Sequence, residues 1–477
     1  MLNRAMPHPP AFELLPGTLP EVRWPPFAAS AAANQLAAQF HLERSQWWDP
    51  EALGRLQRAQ LGVLLRYSAR TIPHYRAVIG DCLPGLAAAE GPSGIPDLTW
   101  EQFRRLPILT RPDLQAQGEA LVSRAVPAGH GRLLRVQSSG STGTPVGIAK
   151  TELCNFYWKV FALRLHLWHG HDLGACFAAI RHTESPAAMA PPGEVLPSWG
   201  PGTRDCLQTG PAWLLSTRND IAVQYDWLRW ASPAYLLSYP SNLARLAEYG
   251  LDRGLPLPGL RQVLTLGEAL PAGLRALCAD AWGVGLADAY TAEETGFIAL
   301  QCPRCEQYHV QSEALVLEVL DQAGAPCAPG TVGRVVVTPL HNFGTPLIRY
   351  ALGDHAEVGE PCACGRGLPV LRRILGRTRN LARLPDGREF RPSVGFCDLA
   401  RIPGVRQAQL VQSAPDRVEV RLVCGRTLDA AEAAQVAALI RTNFDWPLKV
   451  EISYHAEIPR GPGDKFEDFV RAQAARR

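Results

Sequence analysis

Apolar positions along the chain repeat first with a helical period and later with the two-residue period of strands. Between residues 48 and 79 the spacing of Leu53, Leu56, Leu61, Leu64 and Leu65 predicts an amphipathic helix. The preceding residues, 1–50, are rich in Pro and Ala and read as an irregular lead-in packed on the body. Residues 132–150 read as strand, hydroxyl-rich turn and strand, with Leu133, Leu134 and Val136 before the turn and Val146 and Ile148 after it. Residues 235–239 and 262–266 read as strands ended by Pro240 and Gly267, each followed by a helical pattern, at 242–249 and 274–282. Such alternation predicts α/β architecture.

From 310 to 338 the pattern becomes β-rich, with the turn 321–330 between ALVLEVL and GRVVVT. Beyond Gly376 come a turn at 384–387, the runs QAQLVQ and RVEVRLV, an alanine-rich helix at 428–443 and the run LKVEISY. About 100 residues suffice for a small domain. The expected fold class is therefore α/β: a large multi-subdomain N-terminal body (1–377) of α/β layers plus a β-rich part, then a small α+β domain (378–477), with the boundary near 377–380.

Composition narrows the function classes. At 477 residues and 47% hydrophobic content the chain can bury a sizeable core, and Gly 42 with Pro 41 stays below the roughly 25–30% of low-complexity chains. A net charge of +3 is too small for a nucleic-acid binder held by phosphate neutralisation, while a small anionic ligand is compatible with it. No run approaches the roughly 18 apolar residues of a membrane span. Prolines break the first twenty residues where a signal peptide needs its apolar middle, so a cytoplasmic protein without membrane contact is expected. Twelve cysteines are too sparse for a disulfide scaffold and read mostly as buried thiols.

Ser138, Ser139, Gly140, Ser141, Thr142, Gly143, Thr144 and Pro145 form a run of hydroxyls and glycines. Such a loop can wrap phosphate oxygens, because glycines turn N–H groups inward and hydroxyls add donors without bulk; it can equally be a solvated turn. It is not the P-loop of nucleoside triphosphatases, since Thr144 stands where that motif has Lys.

At this loop the chain resembles the acyl-adenylate-forming (AMP-binding) superfamily, and more closely its phenylacetate–CoA ligase-like branch. The likeness is carried, in the family's order, by 106–110 (LPILT), the loop 138–145, Tyr239-Pro240-Ser241, Gly267-Glu268, 290–296, 349–354, Gly376-Arg377 and Lys465, over about residues 60–470. It implies ATP-dependent activation of a small carboxylic acid as acyl-adenylate with release of pyrophosphate, then transfer to a thiol, by family default coenzyme A, with an aromatic acid as the first-guess substrate. In this register the hydroxyl loop, Gly267, Glu268, Tyr290, Thr291, Asp354 and Arg377 bind ATP or AMP. Glu294 holds Mg2+, Asp354 takes the ribose hydroxyls, and Lys465 on a mobile C-terminal cap is the catalytic lysine. Activation of this kind needs a grip on the triphosphate, a hard cation and a positive group at the α-phosphate. Thr291 departs from the family's usual Gly and Asn380 from the acid many relatives have at the hinge. These departures leave room for a biosynthetic ligase that transfers to an amine or a carrier protein. A zinc-bearing nucleotide-binding protein without ligase activity is the reading from another class. Oligomeric state is not legible.

Cys302, Cys305, His309, Cys362 and Cys364 place five soft ligands in two short segments, against the four of tetrahedral Zn2+; reduced loop cysteines or a redox pair at Cys302/Cys305 are the alternatives. The resemblance selects Cys302, His309, Cys362 and Cys364 for a structural Zn2+, with Cys305 as an extra or substitute thiol. Tyr157, Trp158, Phe161, Leu165 and Trp168 are spaced along one helix face, which makes either core or an acyl pocket. Trp199, Trp213, Tyr239 and Thr291 are further lining candidates.

Overall fold

The computed structural model describes residues 13–14, 30–87, 98–138, 146–377, 381–390, 392, 399, 402–459 and 466–472. Residues 139–145 of the hydroxyl loop, Asn380 and Lys465 lie outside them.

A twelve-stranded sheet organises the body. Its parallel half contains Ala212–Ser216, Phe177–Arg181, Tyr235–Ser238, Gln262–Leu266 and Gly285–Ala292, with the short Glu194–Leu196 antiparallel on the outer edge. The other half is antiparallel and runs through Gly296–Gln301, Tyr308–Val310, Val370–Arg377, Tyr350–Val358 and Val332–Pro339 to Leu315–Leu320. The change of period seen near residue 310 is this change from parallel to antiparallel pairing. Helices Ile221–Ala231, Pro240–Arg253 and Leu274–Trp282 connect the parallel strands, each burying an apolar side. The hairpin of Leu133–Ser138 with Val146–Thr151 forms as expected, and it sets Ser138 opposite Val146 at the mouth of the hydroxyl loop.

Two expectations change in the N-terminal region. The single helix expected at 48–79 is two, Pro50–Thr71 and Pro73–Cys82. Pro73 has no N–H to continue the first helix and holds Ile72 extended, at φ −118 and ψ 117. Leu61, Leu64 and Leu65 are fully buried, but Leu56 is 57% exposed and lies off the buried face. The expected irregular lead-in contains a helix, Ser30–Ser45. Its alanines are the strongest helix formers, and its buried Gln35 and Gln39 donate to the carbonyls of Gly202 and Val160, which docks it on the body.

After residue 404 a separate four-stranded sheet runs in the order Lys449–Tyr454, Arg417–Cys424, Val405–Ala414, Phe469–Arg471. Helix Ala430–Phe444 packs on it from a capping box made by Asp429 and Glu432. Val418, Val420, Leu422, Val436, Ile440 and Phe444 are buried in its core.

Buried polar ties fasten the helical region to the antiparallel half. Tyr75 donates its hydroxyl to the carbonyl of Pro346 at 2.7 Å and accepts from the N–H of Ile348 at 3.2 Å, and burial pushes its pKa up. Tyr75→Phe keeps the ring but strands both backbone groups; we expect a loss of about 1–3 kcal/mol, read as a lower unfolding midpoint in urea with unchanged slope.

Candidate active site

Four segments distant in sequence bring charged and phenolic groups together where the parallel and antiparallel halves of the sheet meet. Tyr290 ends a long buried stretch of Gly285–Ala292, and the register shifts between Tyr290 and Thr291, a bulge that re-aims the side chains beyond it. The turn after this strand carries Glu294, which is 6% exposed. Tyr350 and Asp354 lie on the strand Tyr350–Val358, and Arg377 pairs directly opposite Asp354 on its neighbour. Arg111 enters from the first turn of helix Arg111–Gln117, whose position is set by the capping box of Thr110 and Asp113.

The buried carboxylates face cations. Arg377 Nε lies 3.1 Å from Asp354 Oδ1, and Tyr290 donates its hydroxyl to Asp354 Oδ2 at 2.7 Å. Arg111 Nη1 lies 3.7 Å from Glu294 Oε1. Burial, and then the Asp354 charge, push the Tyr290 phenol well up, and burial beside Glu294 pushes Tyr350 to about 12, so both rings are neutral donors at physiological pH. The Asp354 charge raises the Arg377 guanidinium further. The arrangement offers two carboxylates and two guanidiniums in a desolvated setting, able to hold a polyhydroxy, anionic ligand together with a hard cation.

Next to Glu294 opens a cavity of about 210 Å³ whose walls include Tyr157, Trp158, Phe161, Phe297 and His341. Helix Glu152–Trp168 supplies the first three. Trp158 packs on Phe297 with ring centroids 4.6 Å apart, and Tyr157 stacks on His341 at 3.9 Å. Lys150 closes one side and donates to the carbonyl of Glu293. Trp199, by contrast, sits in the core stacked on Phe177 at 5.1 Å, its indole N–H on the carbonyl of Ala175, because the apolar layer under the parallel strands takes it. Tyr239 stands at the end of Tyr235–Ser238, its hydroxyl accepting from the N–H of His182 at 3.4 Å. Neither belongs to the cavity wall, and Thr291, half-buried at the bulge, does not either.

Gly267, with φ of 82, turns the chain after Gln262–Leu266 and presents Glu268 to Ser241 at the start of helix Pro240–Arg253. The motif residue Arg349 is structural. It is buried at φ 51, pairs with Glu318 at 2.9 Å, and donates to the carbonyls of Arg104 and Leu106, which clamps the segment leading to Arg111. Arg111, Lys150, Tyr350 and His341 escaped the sequence reading. For Arg111 a signal existed, since Thr110 and Asp113 spell an N-cap and put residue 111 at a helix start.

Away from this cluster, Cys302, His309, Cys362 and Cys364 are buried with their ligand atoms all within 4.8 Å of one another. Cys362 and Cys302 sulfurs are 3.9 Å apart, and Cys364 Sγ is 3.3 Å from His309 Nε2. A tetrahedral ion with metal–sulfur bonds of about 2.3 Å requires separations of about 3.8 Å, so the donor set fits such an ion. The N–H groups of Cys364 and Arg366 point at the sulfurs of Cys362 and Cys364, each at 3.5 Å, which favours thiolates there. Cys305 Sγ lies 3.6 Å from Cys362 Sγ, adjacent to the set.

No family model matches the chain. Among curated proteins it is 26% identical over 466 residues to a phenylacetate-coenzyme A ligase of Thermus thermophilus, spanning 87% of this chain and 95% of that one. Among solved structures it superposes on 2-hydroxyisobutyryl-CoA ligase in its post-adenylation state with a TM-score of 0.66 at 19% identity, covering 90% and 92% of the two chains. The same ligase in its thioesterification state gives 0.52 at 21% identity, covering 89% of each. An anthranilate CoA ligase with bound anthranoyl-AMP gives 0.52 at 16% identity, covering 88% and 79%. The chain is similar over most of its length to a phenylacetate-coenzyme A ligase and has the fold of the adenylate-forming ligases. No helix among the described residues is long and apolar enough to cross a membrane.

The cavity also carries a pH response. Burial, with a smaller push from His130, lowers the His341 pKa from 6.5 to about 4. The unfolded chain thus takes up a proton that the folded one refuses, so the stability contributed by neutral His341 is complete above pH 6.5 and is withdrawn as pH falls towards 4. We expect His341→Gln to lose stability less steeply than wild type over that range, measured as denaturant midpoint against pH.

Proposed function

We propose that the chain is an ATP-dependent, AMP-forming acid–thiol ligase. A carboxylate oxygen of the acid attacks the α-phosphorus of ATP, the bond to the β-phosphate oxygen breaks, and acyl-adenylate and pyrophosphate form. The sulfur of the acceptor, taken to be coenzyme A, then attacks the acyl carbon, and AMP leaves with the bonding electron pair. The observation that carries this reading is the convergence of Arg111, Tyr290, Glu294, Asp354 and Arg377 in one largely buried cluster from four separate segments.

In this reading Asp354 holds the ribose hydroxyls. Each of its oxygens already accepts one protein partner and keeps lone-pair capacity for another. Tyr290 and Arg377 fix its orientation. Glu294 is the ligand for Mg2+, which would neutralise phosphate charge, and Arg111 beside it is placed to take up a phosphate oxygen. The hydroxyl loop 138–145 would grip the outer phosphates. The aromatic-walled cavity beside Glu294 would take the acyl group, with Tyr157, Trp158 and Phe161 favouring a flat ring. Residues 378–477 form the cap, and Lys465 supplies the ammonium at the α-phosphate during adenylation and leaves afterwards.

Zinc is the metal we assign to Cys302, His309, Cys362 and Cys364. Three thiolates and one imidazole suit it, and four protein ligands leave no position open for chemistry. Its place is structural: it would staple the turn after Gly296–Gln301 to the loop before Val370–Arg377, the strand that carries Arg377.

The test is ATP–pyrophosphate exchange over a panel of aromatic, aliphatic and amino acids. At least one acid should drive exchange, and thioester should appear once coenzyme A is added. Lys465→Ala should abolish exchange yet transfer the acyl group from supplied acyl-adenylate at close to the wild-type rate; equal loss of both steps would refute the role. Metal analysis of purified protein should return about one zinc per chain. Removing it should lower the melting temperature, and Cys362→Ser should reproduce that shift.

A further inference from the structure

Glu268 is bound differently from a simple nucleotide ligand. Its Oε2 accepts from the N–H of Ser241 at 2.9 Å, and its Oε1 accepts from the Ser241 hydroxyl at 3.1 Å. Ser241 lies in the first turn of helix Pro240–Arg253, where N–H groups have no partner within the helix and the helix dipole favours a negative charge. The carboxylate is therefore fixed to the body. The same Oε1 also accepts from the backbone N–H of Phe466 at 2.8 Å. That peptide nitrogen is bonded directly to the carbonyl carbon of Lys465.

The segment after Phe466 is held from the other side by the C-terminal sheet. Gln409 Nε2 donates to the carbonyl of Glu467 at 2.9 Å, the N–H of Leu410 donates to the carbonyl of Asp468 at 2.8 Å, and Phe469 pairs with Leu410. Phe466 is thus the junction between a stretch anchored to the C-terminal sheet and the lysine, and Glu268 fastens that junction to the body.

We propose that Glu268 is a positioning residue for adenylation. It docks the Lys465-bearing end of the cap through the Phe466 N–H and so sets how much of the protein holds the adenylating orientation. The inference rests on the ligase reading above. Glu268 moves with the body and Phe466 with the cap, so this bond must break when the cap turns for acyl transfer. The better superposition on the post-adenylation state than on the thioesterification state of one relative agrees with a docked cap.

The experiment compares wild type, Glu268→Ala, Glu268→Gln and Ser241→Ala in the two half-reactions, with the exchange-active acid and its preformed adenylate. A charge-assisted bond of this kind corresponds to a loss of roughly 10- to 100-fold in the kcat for pyrophosphate exchange for Glu268→Ala, with the KM for ATP within about twofold. Transfer from supplied acyl-adenylate should proceed at the wild-type rate or faster. Glu268→Gln keeps a carbonyl acceptor without the charge and should fall between. Ser241→Ala removes the hydroxyl that orients Oε1 and should show a smaller loss in the same direction. If Glu268→Ala does not fold, these two variants decide the matter. A raised KM for ATP with kcat preserved would make Glu268 a nucleotide ligand and overturn the proposal. So would parallel loss of both half-reactions, or no change at all. A wild type in which none of the acids drives pyrophosphate exchange ends the ligase reading itself, whereas an active wild type indifferent to these substitutions ends only this inference.

Discussion

A carboxylate taken out of water persists only where a cation or several donors replace its hydration, and the junction of the two sheet halves is built around that requirement. Asp354 has Arg377 and the Tyr290 hydroxyl; Glu294 has Arg111; and Glu318, on the edge strand Leu315–Leu320, has Arg349. Each partner comes from a different segment, so the charges are in register only when the whole sheet is assembled. Arg349 shows the economy of the design. One guanidinium satisfies a buried acid and two loop carbonyls, and the segment it pins leads straight into the helix that presents Arg111.

Much of this was legible from the chain alone where local pattern and tertiary demand agree. The strand Gln262–Leu266 and the helix Leu274–Trp282 have the bounds that their periodicity predicts, because each is flanked by a glycine that ends it. The break at Pro73 was legible in principle from the covalent chemistry of proline, yet the leucine spacing ran straight through it. Helix Ser30–Ser45 was hidden because its buried face, Ala32, Gln35, Gln39, Leu42 and Ser45, holds a single large apolar residue and so carries no hydrophobic period. Trp199 is the reverse case: a large aromatic near the expected pocket that the apolar layer claims instead. Of the cluster, Tyr290, Glu294, Asp354 and Arg377 were marked by family register; the Thr110 and Asp113 cap could place Arg111 at a helix start, but its pairing with Glu294, like the place of Tyr350, becomes visible only through the contacts that tertiary folding creates.

The soft-ligand cluster obeys a different logic. Cys302 and His309 flank a tight turn, held by the Cys302 N–H on the carbonyl of Gln307, while Cys362 and Cys364 sit on a loop that the sheet brings alongside. Spacing in sequence alone counted five donors. Geometry gathers four, with the sulfur of Cys305 at the margin.

The contact that joins Phe466 to the body spans 198 residues and uses a main-chain donor. Every amino acid except proline offers that donor, so sequence drift at position 466 would be nearly silent while the acceptor at 268 stays constrained. A comparison of relatives that looks for paired changes would therefore pass over this junction, however much the enzyme depends on it.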